Sequence, residues 1–389
     1  MAGMTETEPL LLGDEDQIDR TVRKAMGADR VAMDIESNGM FAYRARVCTL
    51  QLAWRDAAGR TELALIDTIA VDSRRLAPLL EATSPTKVVH DLAFDARLLA
   101  HEGVTLRGVR DTSIAAGYLG RRATGLRSLL ASELGVQLDK ELQLSDWGRR
   151  PLAIEAVRYL GADVEHLLAL DDLLWAEVKE RGIEDEVASE TSYRLRGAQR
   201  PEPETPPFRR VRGWDRLDPQ TLALLRVLTQ QRERLAERDD VPPFRIARDE
   251  VLVIAARKRP ANVSAFHALL PGKRSTDEVA RELLAVIRPG LEVPPVPPEE
   301  LPEDPRLDRQ AIEARKHRER RLNGWREREA ERRGVDPQVV LPGHCLREIA
   351  AREGVDAAAI GAIDGLGEAR AARYGEALAE LLRTVAETA

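Results

Sequence analysis

Residues 30–37 read RVAMDIES. In an extended chain Val31, Met33 and Ile35 fall on one side, and Ala32, Asp34 and Glu36 on the other. That is the two-residue period of a β-strand. At the usual rise per residue the two carboxylates stand about 6.5–7 Å apart along one face. Acids on a strand inside an apolar sheet are costly unless they meet water or cations, so this stretch sets both the fold and the search for a site. Working outward, RVCTLQLAW (46–54) and TELALID (61–67) read as further strands and KVVH (87–90) as a short apolar one. RRLAPLLEA (74–82) and DLAFDARLLAHEG (91–103) read as helices, the second ending at Gly103. VRDTSIAAGYLG (109–120), GLRSLLASELG (125–135) and AIEAVRYLGADVEHLLALDDLLWAEVKERG (153–182) read as helical throughout. Strands first, then strand–helix alternation, then helices predicts an α/β domain with a mixed sheet flanked by helices.

The chain of 389 residues has room for two or three domains. With 43% apolar and 32% charged residues it is a folded, globular chain and not a disordered one, and with 4% aromatics its cores must be aliphatic. No run of 18 apolar residues occurs, which excludes a transmembrane helix and a membrane partner of that kind. The acidic start, MAGMTETEPLLLGDEDQIDR, lacks the basic and apolar parts of a secretory signal. Cys48 and Cys345 are too far apart in sequence to suggest a disulfide framework or a thiolate zinc site. The expected compartment is the cytoplasm. A net charge of −7 does not exclude nucleic acid, because partners respond to local fields. The cations are 52 Arg and 7 Lys. Arg suits forked phosphate contacts, although a GC-rich genome would supply the same bias.

Two Pro-rich stretches, PEPETPP (201–207) and PPVPPEELPEDP (294–305), break the pattern. They divide the chain into a first domain over 1–200, a linker over 201–212, a helical domain over 213–292, a linker over 293–305 and a second helical domain over 306–389. Both later segments carry almost only helical periodicity and read as small all-α bundles.

Beyond Asp34 and Glu36, Asp95 lies one turn into a helix that follows a strand, with Asp91 as the natural N-cap before it. Tyr159 and Asp163 are four residues apart and share a helix face. Each pattern alone is common. Together, four acids from three separated elements make a hard oxygen donor set with no His or Cys partner, which suits Mg²⁺ or Mn²⁺ and not Zn²⁺. Two such ions about 3.5–4 Å apart can clamp a phosphodiester, and a nearby Tyr hydroxyl can orient the attacking water.

These blocks resemble the three motifs of the DEDD superfamily of exonucleases: D-x-E at Asp34 and Glu36, the second acid at Asp95, and Y-x3-D from Tyr159 to Asp163. Arg158 stands where the sister branch has His, so the tyrosine branch is indicated. Within it, HDLAFDARLL, DTSIAAGYLG (111–120), GVQLDKELQLSDWGRRPL (135–152) and YLGADVEHLL resemble the ribonuclease D family. The resemblance spans about 30–175 and implies a ribonuclease H-like fold and 3′–5′ exoribonuclease activity on RNA with a free 3′ end, tRNA precursors included. It implies two divalent ions held by Asp34, Glu36, Asp95 and Asp163, with Tyr159 placing the water. Residues 213–292 resemble the HRDC module, and 306–389 resemble a second, more divergent copy.

Arg121, Arg122, Arg127, Arg149 and Arg150 lie between the second and third motifs, where they could neutralise substrate phosphates. His90 could hydrogen-bond a terminal nucleotide, and Trp147 is read as a core residue. Residues 306–333 carry 11 Arg or Lys against 6 acids, which fits RNA backbone or a solvated helix with i,i+4 pairs equally well. The absence of a complete Walker A motif, with GKRST (272–276) lacking its upstream Gly, excludes a helicase. Two rivals stand beside the exoribonuclease: a DNA 3′–5′ exonuclease of the same superfamily, and a non-catalytic RNA-binding protein that would not need all five site residues. Because every proposed catalytic group precedes residue 164, a nuclease ending near residue 205 is expected to fold and to trim short RNA.

Overall fold

The computed structural model describes residues 11–138, 145–201, 203–269, 276–287, 292–301, 309–352 and 354–386. Parts of six stretches read from sequence lie outside these residues: 1–10 of the acidic start, 139–144 of the 135–152 block, 202 of the first Pro-rich stretch, 272–275 of GKRST, 302–305 of the second Pro-rich stretch, and 306–308 of the basic segment. The chain divides into two compact units, residues 1–37, 47–200 and 307–389 in one and residues 38–46 and 201–306 in the other.

The first unit is built on a six-stranded mixed sheet: β1 (Leu11–Leu12), β2 (Arg30–Ser37), β3 (Val47–Arg55), β4 (Thr61–Asp67), β5 (Thr86–Val89) and β6 (Val109–Asp111), in the spatial order β1-β4-β3-β2-β5-β6. β2, β3 and β4 form an antiparallel meander. β5 and β6 extend it in parallel from β2, and β1 lies parallel to β4 at the other edge. The alternation in RVAMDIES and TELALID gives strands with the boundaries expected. Two strands escaped the sequence reading. β1 and β6 are two and three residues long, too short for a period to show, and β6 opens the 109–120 stretch that reads as helix.

Around the sheet lie α1 (Glu15–Ala25), α2 (Leu92–His101), α3 (Thr112–Tyr118), α4 (Ile154–Glu165), α5 (Leu167–Glu180) and α6 (Glu184–Gln199). The 153–182 stretch, continuous in its apolar pattern, is two helices that meet at His166. The core between sheet and helices is aliphatic, as the composition requires, with Val31, Met33, Leu50, Leu52, Ile66, Val88, Leu99, Leu170 and Leu174 at 0–1% exposure.

The same unit includes the C-terminal bundle of α10 (Arg309–Arg333), α11 (Gly343–Ala351) and α12 (Glu368–Ala386). Its own core gathers Leu322, Leu346, Ile349, Ile360 and Leu378, while Val339 belongs to the core of the sheet domain. Backbone comes very close at this seam. A Cβ on Gly365, at φ +84°, would lie 2.7 Å from a Tyr193 ring carbon, and one on Gly367, at φ +81°, 2.3 Å from Ser189 Oγ. Only glycine fits these positions, on grounds of both space and conformation.

The second unit is helical. α7 (Pro219–Arg238) starts at an Asp218 N-cap with proline in its first turn. It packs with α8 (Asp249–Lys258) and α9 (Asp277–Ala285) around Leu225, Leu228, Leu252, Phe266 and Leu283. Residues 38–46 add to it: the Tyr43 backbone N–H donates to Asp240 Oδ1 at 3.1 Å, and the Tyr43 ring packs against this core.

Candidate active site

β2 delivers Asp34 and Glu36 to one face of the sheet. Their cross-strand partners on β3 are Gln51 and Thr49, both fully buried and joined by a 2.8 Å bond from Gln51 Nε2 to Thr49 Oγ1. Side chains directly opposite on neighbouring strands share a face, so the acids stand over a polar floor and not an aliphatic one. α4 crosses that face and brings Asp163. Gly161 faces β4 closely, where a Cβ would lie 3.0 Å from Leu63 Cδ2. One carboxylate oxygen each of Asp34, Glu36 and Asp163 lies within 4.8 Å of the others.

Asp95, on α2, is 6% exposed and stands outside this tight group, but the charges of Asp34 and Glu36 act on it. Its pKa lies well above the usual carboxylate value, because of burial first and then those two acids. Burial and Asp163 raise Asp34 to about 7. Burial, Asp34 and Asp163 raise Glu36 to about 9. Burial raises Asp163 to about 6, with Arg127 pulling the other way. Buried acids whose carboxyls are held above the ordinary range, first by burial and then by one another's charge, form a site that a multivalent cation would relieve. The all-oxygen donor set, drawn from a strand and a helix, fits a hard divalent cation.

Tyr159 sits one turn before Asp163 on α4, with its hydroxyl held protonated by burial and by Asp163, Glu36 and Asp34. Its ring stacks on Trp147, 5.8 Å between centroids and 27° between planes. Trp147 is 1% exposed and belongs to a small core with Cys48, Leu65 and Leu160, which agrees with its reading as a core residue. Arg150 fixes the segment that carries Trp147. It donates to both Asp67 oxygens at 2.6 and 2.7 Å, to the Cys48 carbonyl at 2.8 Å and to the Trp147 carbonyl at 2.7 Å.

The other basic residues fall into two sets. Arg121 is engaged by Glu133 and Glu177, at 3.0 and 2.6 Å. Arg122 and Arg149 are exposed, and Arg127 is close enough to Asp163 and Tyr159 to act on both. His90 has Nδ1 2.8 Å from Thr112 Oγ1, and burial lowers its pKa.

Asp91 departs from its expected part. It occupies the cap position of α2 in a left-handed conformation, φ 63°, and its carboxylate makes no capping bond. Asp111 supplies the cap, accepting from the N–H groups of Leu92 at 2.8 Å and Asp91 at 3.3 Å. Sequence reasoning passed over Asp111 because β6 was hidden inside a helical pattern. It also passed over Phe94, which stands beside Asp95 with 51% of its surface exposed, unusual for so apolar a ring.

A carboxylate cluster on a central strand and a crossing helix, with a half-buried tyrosine one turn away, has the donor set and geometry suited to metal-dependent phosphodiester cleavage. A family model described as 3′-5′ exonuclease matches residues 11–179, and the HRDC domain model matches twice, at 221–287 and 316–382. A ribonuclease D of Pseudomonas paraeruginosa is 34% identical over 302 residues, 73% of this chain and 74% of that protein. One of Gluconacetobacter diazotrophicus is 32% identical over 271 residues, 67% of this chain and 65% of that protein. The crystal structure of Escherichia coli RNase D, described as an exoribonuclease involved in structured RNA processing, shares the fold with a TM-score of 0.68. It covers 97% of this chain and 99% of its own at 22% identity. The chain belongs to the ribonuclease D family, and its activity is that of a 3′–5′ exoribonuclease. Among the described residues no helix is long and apolar enough to cross a membrane.

Proposed function

We propose that Asp34, Glu36, Asp95 and Asp163 hold two divalent ions, Mg²⁺ or Mn²⁺, and that the enzyme removes nucleoside 5′-monophosphates from RNA with a free 3′-hydroxyl, tRNA precursors with 3′ trailers among its substrates. The observation that carries this is the meeting of three carboxylates from β2 and α4 within 4.8 Å, one helical turn from Tyr159. When bound, the ions lower the pKa of the nucleophilic water and stabilise the charge on the leaving oxygen. Tyr159, protonated across the working pH range and braced by Trp147, orients that water through its hydroxyl. Arg127 acts on the scissile phosphate beside Asp163, and the exposed Arg122 and Arg149 take phosphates further along the strand. The exposed Phe94 ring stacks on the terminal base. Arg121, Arg150 and His90 already have partners within the protein and act one step back, shaping the wall on which these groups stand. Cys48 and Cys345 are both buried free thiols, which suits a reducing cytoplasm.

The test is a 5′-labelled oligonucleotide, as RNA and as DNA, ending in 3′-hydroxyl or 3′-phosphate, with EDTA, Mg²⁺ or Mn²⁺. Expected is stepwise shortening of the 3′-hydroxyl RNA with mononucleotide release, dependent on metal. Equal rates on DNA would transfer the reading to a DNA exonuclease. Binding without shortening would reduce it to an RNA-binding role.

A further inference from the structure

The start of α2, the helix of Asp95, is strapped to the start of α3. Asp111 closes its own helix by accepting from Ser113 N at 2.8 Å and Ile114 N at 3.2 Å. The same carboxylate reaches across to the N–H groups of Asp91 and Leu92. Thr112 adds two bonds, donating its hydroxyl to the Val89 carbonyl at 3.0 Å and meeting His90 Nδ1 at 2.8 Å. Every residue of the β5–α2 junction, Val89 to Leu92, is thereby tied to Asp111 or Thr112. Both are 1% exposed, and Asp95 follows one turn later.

The far end of α3 is held from outside the sheet domain's own sequence. Tyr118, the last residue of α3, donates its hydroxyl to Glu190 Oε2 on α6 at 3.0 Å. Arg370, on α12 of the C-terminal bundle and 0% exposed, donates to that hydroxyl at 3.2 Å and to the Glu186 carbonyl at 3.2 Å. Its remaining donors go to the carbonyls of Val339 at 2.8 Å and Leu366 at 3.0 Å. A buried guanidinium satisfied in this way fixes four backbone or side-chain oxygens at once. The carboxylate of Glu186, 2% exposed, takes Arg373 at 3.0 Å and Arg333 at 3.5 Å from the same bundle. α3 is seven residues long, about 10 Å, and too short to absorb a shift at one end without moving the other.

We propose that Asp111 is a positioning residue for Asp95, and that Arg370 braces it through Tyr118, so that the C-terminal bundle holds part of the metal-binding site in place. This rests on the reading of Asp95 as a metal ligand. Partners that orient a ligand from one step back are typically worth about 10–100-fold in metal affinity or activity.

The experiment uses the full chain and three variants: Asp111→Asn, Tyr118→Phe and Arg370→Met. Asp111→Asn turns one acceptor oxygen into a donor that faces the junction N–H groups. Tyr118→Phe keeps the ring and removes the shared hydroxyl. Three readouts are taken: Mn²⁺ binding by calorimetry, amide hydrogen exchange over residues 92–96, and kcat and KM on a trinucleotide. Expected are roughly 10-fold or greater losses of Mn²⁺ affinity and kcat for Asp111→Asn with KM little changed, and smaller losses in the same direction for Tyr118→Phe and Arg370→Met. Exchange over 92–96 should quicken in all three. Folded variants with wild-type Mn²⁺ affinity and wild-type exchange over 92–96 would overturn the proposal, even if their melting temperatures fell, because a purely structural seam would lose stability without touching Asp95. Failure of the wild-type chain to bind Mn²⁺ or cleave would instead sink the metal-site reading, and the exchange measurement would still decide the brace.

Discussion

At the scale of the residue, the acids act as one group and should fail as one. Replacing Asp34, Glu36, Asp95 or Asp163 by Ala is expected to abolish nearly all hydrolysis without unfolding the chain, and a second such change should add little, because each already disables the shared site. Turnover of the single and double variants checks this. Tyr159→Phe should lose about 10²–10⁴-fold in kcat while binding RNA normally, since only the hydroxyl and not the ring is removed. The raised carboxylate pKa values predict a stability effect of definite sign. The folded, metal-free chain keeps protons that the unfolded chain gives up near pH 4, so these groups oppose folding increasingly as pH climbs from about 4 through the folded values of about 6, 7 and 9. The melting temperature in EDTA should therefore fall between pH 5 and pH 9, and Mg²⁺ should restore more of it at pH 8.5 than at pH 5. An Asp34→Asn/Glu36→Gln variant should flatten the EDTA curve; an unchanged slope would show that the dependence arises elsewhere. Residue types and spacing singled out all five candidate groups in the sequence, and the structure brings Asp34, Glu36 and Asp163 together. Their mutual distances were not legible there, because Asp34 and Asp163 are 129 positions apart and no local pattern records that α4 crosses β2.

At the scale of the element, legibility followed length. β2, β3 and β4 run seven to nine residues and carry a clear alternation, whereas β1 and β6 have no room for one. The split at His166 was hidden because α4 and α5 continue a single apolar rhythm across a break of one residue. The cap of α2 was misassigned for a related reason. Asp91 has the right chemistry in the right place, but its backbone lies in the left-handed region and the cap comes from Asp111, 20 positions on. This gives a measurable order of stability at position 91. If the Asp91 carboxylate capped the helix, Gly and Ala would both destabilise. With the cap supplied by Asp111, Gly should match or exceed Asp, because it adopts φ 63° freely, and Ala should fall about 1 kcal/mol below, from the conformational penalty alone. Urea unfolding of the three proteins decides between the two.

At the scale of the whole molecule, the Pro-rich breaks are real features of the sequence, yet the compact units do not follow the linear order they suggest. Residues 307–389 belong with the sheet domain, joined by pairs such as Tyr118 and Arg370 that stand 252 positions apart. Pairings of that separation leave no mark in composition or period. They change what a truncation should do. Ending the chain near residue 306 removes Val339 from the sheet domain's core and uncovers the face of α6 that carries Glu186, Ser189, Glu190 and Tyr193. It also strips Glu186 of Arg333, Arg370 and Arg373, and takes away the stack of His344 on Tyr193, at 3.8 Å between centroids. Acids 2% and 3% exposed, Glu186 and Glu190, would lose the neighbours that bury them. The shortened chain is therefore expected to melt several degrees lower and to turn over a trinucleotide more slowly than the full chain, although every proposed catalytic group is retained. Its RNA affinity should keep most of its salt dependence. Many cations of α10 are already engaged, Arg315 with Glu319, Lys316 with Glu313 and Arg332 with Glu329. Each phosphate that goes unneutralised would change the slope of log K against log salt by only about 0.7–0.9. A salt series of hairpin RNA binding, run beside a melting curve and trinucleotide turnover for both chains, separates the cases. A shortened chain with full stability and full turnover but a slope lower by several units would show that the bundle serves to grip RNA and leaves the nuclease to stand alone.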